Sequence, residues 1–449
     1  MSFKDYIPFY KRNLQVAIPV VLSQAGQVMV QQVDNMMVGH VGTNELAAAS
    51  FAGSVFINGL IFGMGFSFGL TPLVGRFFGE KNFKRAGELF QNSIMVNLIM
   101  GLLLTAIMFG VKFFMYDMGQ PKEVVDLAIP YYLVQVFSMI PFLLFFSFKQ
   151  FAEGIGNTKV AMVVTLTANA VNILLNYILI FGKFGVEAYG LMGAGYATFT
   201  ARLLMPILFF VVFLKKTEFN RYLQYISFSG IKWSRIRNLF SVGIPIGAQM
   251  VIEVMAFSLG SIMMGWLGAV PIAAHQIALG VASLTFMLAS GVAQGTTIRV
   301  SHQLGAGNYV EMRKAVFASL HMVLAFMSMT ALSFVIFRNH IPALYTKDVD
   351  VIALTSNLLI VGAVFQLFDG LQLVTLASLR GLADVKKPMY FSLLSFIVVA
   401  LPVSYLCTFP LGFGPKGIWF GFLAGLGTAS VLFYRRFNRL SLKMVEGAE

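Results

Sequence analysis

Residues 16–42 read VAIPVVLSQAGQVMVQQVDNMMVGHVG, and residues 242–268 read VGIPIGAQMVIEVMAFSLGSIMMGWLG. The two stretches lie 226 positions apart, and their Ile-Pro and Gly-x-x-Gly pairs align. The same offset matches Gly65, Gly69, Thr71 and Gly79 with Gly291, Gly295, Thr297 and Gly305, and an offset of 227 matches Gly154, Gly185 and Gly190 with Gly381, Gly412 and Gly417. Chance matches are common between apolar segments, but an offset held from residue 18 to residue 190 indicates a duplicated chain.

The composition indicates that lipid is the solvent for most of the chain. Of its 449 residues 58% are hydrophobic and only 11% are charged, whereas soluble domains have about 25% charged residues. The 45 Phe and 25 Met require burial, which excludes intrinsic disorder. A single cysteine, Cys407, excludes a disulfide framework and a thiolate metal cluster.

Apolar runs long enough to cross a bilayer recur along the whole chain, since a spanning helix needs about 20 such residues. Twelve spans are predicted, at 14–39, 46–74, 91–115, 127–152, 161–182, 190–214, 240–266, 271–298, 314–338, 351–379, 388–410 and 417–434. The runs are continuous rather than alternating, which excludes a β-barrel. The connections are short, so we expect no folded extramembrane domain. No cleaved signal is expected either, because the N-terminus mixes Lys4, Asp5 and Pro8 and the first apolar stretch is too long for a signal.

The net charge of +13 reflects membrane topology rather than nucleic-acid binding. Of the 32 Lys and Arg, 25 fall on the side of the termini, six on the opposite side, and Arg202 lies within a span. The positive-inside rule therefore predicts a multi-pass protein of the cell (inner) membrane with both termini in the cytoplasm.

The repeat and the spans together predict two lobes of six helices each. An even number of spans gives both halves the same orientation, which is the arrangement of secondary transporters that rock around a midplane site. We expect an N-terminal lobe at 1–214, a basic cytoplasmic linker at 215–239 and a C-terminal lobe at 240–449.

Three acidic residues, Asp34, Glu253 and Asp369, lie well inside predicted spans, where a charge costs at least ~2.5–3.5 kcal/mol. One face of span 1 carries Gln24, Gln27, Gln31 and Asp34, and one face of span 5 carries Thr165, Asn169, Asn172 and Asn176. Asp34 and Asn176 lie at similar depth, so these side chains are expected to form an oxygen-rich pocket. The asparagines alone could equally serve as polar contacts between helices.

The second lobe carries Gln249 and Glu253 on span 7, and Gln366 and Asp369 on span 10. With no Lys or Arg expected on the same face, these carboxylates predict an exchangeable cation, H⁺ or Na⁺, with Glu253 and Asp369 as Na⁺ ligands. Permanently protonated acids that donate hydrogen bonds are the structural alternative. Arg202 either pairs with an acid or faces a wet cavity.

Sequence motifs for other chemistry are missing. No GxxxxGK[ST] phosphate loop, HExxH or GxSxG motif occurs, so neither direct use of ATP nor an enzyme is predicted. His275 and His302 match no ligand spacing and are interpreted as neutral structural histidines. No cofactor is expected besides the coupling ion.

Several of these segments resemble the multidrug and toxic compound extrusion (MATE) family, most closely its bacterial NorM branch. The resemblance covers essentially the whole chain and rests on the motifs at 31–39 (QQVDNMMVG), 46–49 (LAAA), 265–268 (GWLG), 273–276 (AAHQ) and 381–384 (GLAD).

The resemblance implies an all-helical, V-shaped pair of six-helix lobes that exports cationic amphipathic drugs against inward Na⁺ or H⁺ flow. It assigns the family's acids to Asp34, Glu253 and Asp369, and its asparagine pair to Asn172 and Asn176. Some relatives have an aspartate where Asn176 stands, so we favour Glu253 with Asp369 as the coupling site, with Asp34 as the second candidate. A monomer is expected. The alternatives are a lipid-linked oligosaccharide flippase of the related superfamily and, least favoured, an intramembrane enzyme.

Overall fold

The computed structural model describes residues 6–227 and 230–447, which are helical throughout apart from short connections. Within these ranges, twelve helical segments are long and apolar enough to cross a membrane. We number them α1 to α12: Ile7–Gly39, Thr43–Gly79, Phe83–Met118, Lys122–Gly154, Thr158–Phe181, Gly190–Lys215, Trp233–Gly265, Ala269–Gly305, Tyr309–Ile336, Val349–Gly381, Lys386–Thr408 and Pro415–Glu446. Two short helices, Thr217–Leu223 and His340–Ala343, lie between them.

All twelve predicted spans are present, but most helices extend beyond the predicted apolar runs. The first begins at Ile7 rather than at residue 14, and the last ends at Glu446 rather than at residue 434. Hydropathy identifies only the apolar part of a helix, and the helix can continue beyond that part through turns that contain charged residues. Lys443 in the last turn of α12 also interacts favourably with the carbonyl end of the helix dipole.

Four of the spanning segments are not continuous α-helices. α2 consists of Thr43–Phe68 and Leu70–Gly79, and α4 of Lys122–Phe137 and Met139–Gly154. α3 runs as Phe83–Val111 and ends in a 3₁₀ turn, and α11 contains a π-helical stretch, Leu393–Ala400, between Lys386–Ser392 and Leu401–Thr408. Pro402 lies two residues after that stretch and has no backbone N–H, which explains why regular α-helical hydrogen bonding gives way there.

The duplication appears in the backbone of the connections. Lys81 and Gly307 are matching residues and both have left-handed φ, at 54° and 73°. Each is followed by an asparagine, Asn82 or Asn308, that precedes the next helix with nearly the same backbone angles. The left-handed conformation is strained for Lys81, whereas glycine adopts it without steric cost. The fold therefore imposes the same turn on both halves.

The duplication also appears in helix packing. A Cβ on Gly154 would lie 2.9 Å from the Cβ of Val74, and one on the matching Gly381 would lie 2.6 Å from the Cβ of Val300. The hydroxyl of Thr297 donates to the Ala377 carbonyl at 3.0 Å, and matching Thr71 makes the same bond. The two halves therefore repeat one close helix crossing, as the offset predicts.

By its contacts the chain divides into two compact units, whose boundaries fall inside α1 and α7. One unit is Leu22–Gly247, and the other combines the residues up to Val21 with those from Ala248 onward. In the second, Asn13 donates to Ala315 O (3.0 Å) and Ser319 Oγ (2.9 Å). The predicted lobes at 1–214 and 240–449 follow the repeat instead of these contacts, and they stay a prediction.

The unit at 22–247 has an aromatic core that also anchors the linker. Phe213 is buried and stacks on Phe219 of the short linker helix, with ring centroids 4.1 Å apart. Burial of neighbouring Tyr222 raises its pKa to about 12. Arg235, further along the linker, forms an ion pair with Glu88 of α3. The basic linker is thus held against this unit by packing and charge.

Candidate functional site

Helices α1 and α5 bring Asp34 together with Asn172 and Asn176, as the sequence predicts. The Asn176 amide donates to Asp34 Oδ1. With its amide nitrogen turned toward the carboxylate, Asn172 also donates to Asp34 Oδ1, at 3.0 Å, while its oxygen accepts from Thr198 N. Asn176 Oδ1 is buried without a hydrogen-bond partner. The pocket therefore contains a carboxylate and an unused amide oxygen.

Gln27, Gln31, Thr165 and Asn169 lie on these two faces but form no hydrogen bond with Asp34 within residues 6–227 and 230–447. Gln31 is exposed and Gln27 is partly buried, and neither forms a side-chain hydrogen bond within residues 6–227 and 230–447. On α5, buried Thr165 and Asn169 each have an unpartnered polar atom. These residues lie on the same side of their helix as the pocket residues, but in the described part of the chain they do not form hydrogen bonds with Asp34.

Arg202 of α6 lies in the same unit and acts electrostatically on Asp34 without forming a direct ion pair with it. Its Nη1 donates to Gln135 Oε1 at 3.1 Å and to Ser138 Oγ at 2.6 Å. The guanidinium carbon lies 4.9 Å from the centre of the Phe142 ring. This fixed positive charge balances an ionised Asp34, so the pocket has no net formal charge.

Helices α7 and α10 carry the second pair of acids. Gln249 Nε2 donates to Glu253 Oε2 at 3.1 Å within α7. Asp369 of α10 is buried, with 5% of its surface exposed, and the charge of Glu253 acts on it. Gln366, one turn before Asp369, accepts a hydrogen bond from Thr330 at 2.6 Å. Glu253 thus acts electrostatically on Asp369, and the assignment of the two acids to a cation site stays a prediction.

Arg380, near the end of α10, reaches back to this acidic pair. Its Nη2 donates to Gln249 Oε1 at 2.5 Å, and its charge acts on Glu253. The expectation that no Lys or Arg lies on the face of these acids was wrong. Arg380 follows Asp369 by eleven residues, about three helical turns, and so shares its face. The sequence prediction placed Arg380 in the loop after span 10, but its side chain is long enough for the guanidinium to reach the site.

The donor set around Glu253 suits a hard cation. The Gln372 amide faces Glu253, and its oxygen is buried without a hydrogen-bond partner. Two carboxylates and a free amide oxygen are the ligand types that Na⁺ accepts, and the carboxylates alone suffice for a proton. Within the described ranges no group of three or more His, Cys, Asp or Glu side chains could hold a metal ion. Further Na⁺ ligands would therefore have to be amides, carbonyls or water.

His275 is a structural residue, as predicted. It is fully buried, its Nδ1 accepts from Trp419 Nε1 at 3.1 Å, and its Nε2 lies 3.0 Å from Ser261 Oγ. Because indole nitrogen only donates, Nδ1 carries no proton and the ring is neutral with its hydrogen on Nε2. No lone pair remains for a metal.

The family model described as MatE matches the chain twice, at residues 19–178 and 245–406. The chain belongs to the MatE family. The starts of the two matches differ by 226 residues, the same offset that the sequence alone indicated.

Relatives of this MatE-family chain match it over nearly its whole length. It is 31% identical to the "Probable multidrug resistance protein NorM" of Rhizobium meliloti (strain 1021), over 98% of this chain and 95% of that protein. It is 30% identical to the "Multidrug resistance protein MdtK" of Yersinia pseudotuberculosis, covering 97% of each. A solved outward-facing multidrug resistance MATE transporter has the same fold, with a TM-score of 0.88 at 19% identity over 98% of this chain and 97% of that one.

These findings confirm the predicted family and fold of twelve membrane helices in a duplicated chain. They also confirm a multi-pass membrane transporter rather than an enzyme.

Sequence reasoning missed three features of this MatE-family protein. Arg380 and Gln372 could have been found from their spacing after Asp369 on one face of α10. The third feature is a buried ion pair on α4, where Lys149 Nζ lies 3.0 Å from Glu153 Oε1. Their i, i+4 spacing was the available signal.

Proposed function

We propose that the protein is a secondary active multidrug exporter of the cell (inner) membrane, with both termini in the cytoplasm. It moves cationic amphipathic compounds outward by alternating access, against an inward flow of H⁺ or Na⁺, and it works as a monomer without any other cofactor. The names of its relatives and its twelve spanning helices support this proposal.

The coupling cation binds at Glu253 and Asp369. The observation that carries this assignment is the charge of the two sites. With both acids ionised, Glu253, Asp369 and Arg380 have a formal net charge of −1, whereas Asp34 is balanced by Arg202. A buried site with uncompensated negative charge is stabilised by a bound cation, and a balanced one gains much less.

The polar side chains around the acids support binding without carrying charge. Gln249 orients Glu253 through its hydrogen bond, and Gln366, one turn before Asp369, is itself held by the Thr330 hydroxyl. Asp34 remains the second candidate for a cation, and its carboxylate offers a contact for a positively charged drug. The residues proposed to line the polar part of that pocket are Asn172, Asn176, Gln27 and Gln31.

Transport follows from competition for negative charge. In the outward-facing state the acids take up H⁺ or Na⁺, and the loss of negative charge releases the cationic drug. In the inward-facing state the ion leaves and the drug binds again. A ligand can shift a conformational equilibrium only by its different affinity for the two states, so neutral variants of the acids should uncouple transport from the ion.

The charge of the site also argues against the flippase alternative. A protein that moves a pyrophosphate-linked sugar needs excess positive charge at its binding site. Both buried arginines described above have an acid within electrostatic reach, and the Glu253 site remains net negative.

The test is ion-driven drug efflux from proteoliposomes. Glu253→Gln and Asp369→Asn should each abolish efflux driven by the ion gradient. Asp117→Asn, which alters an exposed acid in the 3₁₀ turn of α3, is the matched control and should transport normally. Undiminished ion-driven efflux in both site variants would overturn the assignment.

A second measurement separates the two ions. Efflux is driven first by an imposed Na⁺ gradient at fixed pH and then by a pH gradient without Na⁺. The gradient that sustains transport identifies the coupling ion. If neither gradient drives transport, antiport is refuted.

A further inference from the structure

A line of polar side chains connects the acidic pair with the end of α10. Arg380 Nη2 donates to Gln249 Oε1 at 2.5 Å, and Gln249 Nε2 donates to Glu253 Oε2 at 3.1 Å. Buried Asp369, on α10 like Arg380, interacts electrostatically with Glu253. Eleven residues separate Asp369 from Arg380, so the line extends over about 16 Å along the helix.

The Gln249 amide holds the two charges apart at a fixed separation. The amide oxygen accepts from the Arg380 guanidinium and the amide nitrogen donates to the Glu253 carboxylate, so donors and acceptors are matched at both ends. Arg380 Nε is buried and has no hydrogen-bond partner. The charge of Arg380 acts on Glu253, and the charge of Glu253 acts on Asp369.

We infer that Arg380 limits the site to one monovalent cation per cycle, because its permanent charge neutralises one of the two carboxylates. This inference rests on the proposed function. Arginine does not deprotonate in proteins, so the group formed by Arg380, Glu253 and Asp369 can reach −1 but not −2. One H⁺ or Na⁺ then brings it to neutrality, and a second ion would leave an uncompensated positive charge in a buried place.

The same charge keeps the ion releasable. The bridging amide puts the guanidinium roughly 7 Å from the Glu253 carboxylate. At that distance, with an effective dielectric constant of about 20, a unit charge changes cation affinity roughly 50-fold. Without Arg380, the acids would hold their first ion that much more tightly and would accept a second one.

The experiment counts ions on the purified full-length protein in lipid nanodiscs. The probes are Na⁺ at fixed pH, measured by isotope binding, and H⁺ in Na⁺-free buffer, measured by difference titration against the Glu253→Gln/Asp369→Asn double variant. We expect the wild-type protein to bind one cation. Arg380→Gln should bind two, with the first about 50-fold tighter, and Arg380→Lys should again bind one.

A compensating variant distinguishes the charge of Arg380 from a merely structural role. Arg380→Gln/Asp369→Asn restores the net charge of −1 and should return the count to one with near wild-type affinity. This variant also serves if Arg380→Gln alone does not fold, and its failure to bind one cation would then overturn the inference.

Two further outcomes keep the inference and the proposed function apart. If Arg380→Gln binds the same number of ions with the same affinity as the wild type, the inference is wrong and the proposed site stands. If the double acid variant binds ions as the wild type does, the proposed site is wrong and the inference falls with it.

Discussion

Replacing Trp419 with Phe tests whether the hydrogen-bonded histidine stabilises the core of the second unit. Trp419 and His275 are both fully buried, and the indole N–H is the donor to His275 Nδ1 at 3.1 Å. Phe fills most of the same space but cannot donate. The variant therefore leaves a buried nitrogen acceptor without a partner.

The expected loss has two parts. A buried polar atom left without its hydrogen bond costs about 1–3 kcal/mol. The smaller ring leaves a cavity of tens of cubic ångströms, which adds about 1 kcal/mol at ~24 cal/mol per Å³. We expect the free energy of unfolding to fall by about 2–4 kcal/mol. The matched control is Trp266→Phe, because Trp266 is 65% exposed and should lose less than about 0.5 kcal/mol.

The assay is equilibrium unfolding in mixed micelles, run as a double-mutant cycle with His275→Leu. If the bond matters, Trp419→Phe should cost at least about 1 kcal/mol less in the His275→Leu background, where the acceptor is already gone. An equal loss in both backgrounds would refute the hydrogen-bond argument. A loss no larger than that of the Trp266 control would refute the whole account.

Three further variants test the close helix crossing, the buried ion pair and the balanced charge. Gly381→Ala should lose about 1–3 kcal/mol of unfolding free energy, because its Cβ would lie 2.6 Å from Val300, whereas Gly280→Ala, with nothing within 4 Å, should lose none. Lys149→Met should cost about 3–5 kcal/mol by leaving Glu153 buried and unpaired, and Lys149→Met/Glu153→Leu should recover most of it; no recovery would count against the pairing. Asp34→Asn should reduce ion-driven efflux less than about threefold in proteoliposomes, against more than about tenfold for Asp369→Asn, and the reverse order would refute the charge argument.

The spans and the repeat could be predicted because both depend on long, regular signals. A bilayer requires about 20 apolar residues whatever the neighbours are, and a duplicated chain keeps its offset. The helix ends were less predictable. Ile7 and Glu446 lie beyond the apolar runs, where helix formation depends on charged turns and caps that hydropathy does not report.

The site could be predicted where depth and helix face were enough. Asp34, Asn172 and Asn176 lie at a similar depth on facing helix surfaces, and their side chains form hydrogen bonds with one another. Gln31 shares the face but is exposed, because a face is wide and only part of it packs against a neighbour. Arg380 was missed because a long flexible side chain can enter a site several ångströms from its own Cα, and position along the chain does not indicate that reach.

Matching positions of the two repeats carry different charges, which is a physical reason for proposing the coupling site in the second repeat. At an offset of 227, Arg380 corresponds to Glu153, and at 226, Glu253 corresponds to Gln27. In the first repeat the buried Glu153 is paired with Lys149 and therefore contributes no net charge. The two repeats share a backbone fold, but they differ in formal charge at the positions that match the proposed ion site. Because cation affinity depends steeply on buried charge, the half with the net charge of −1 is the one we propose to bind the ion.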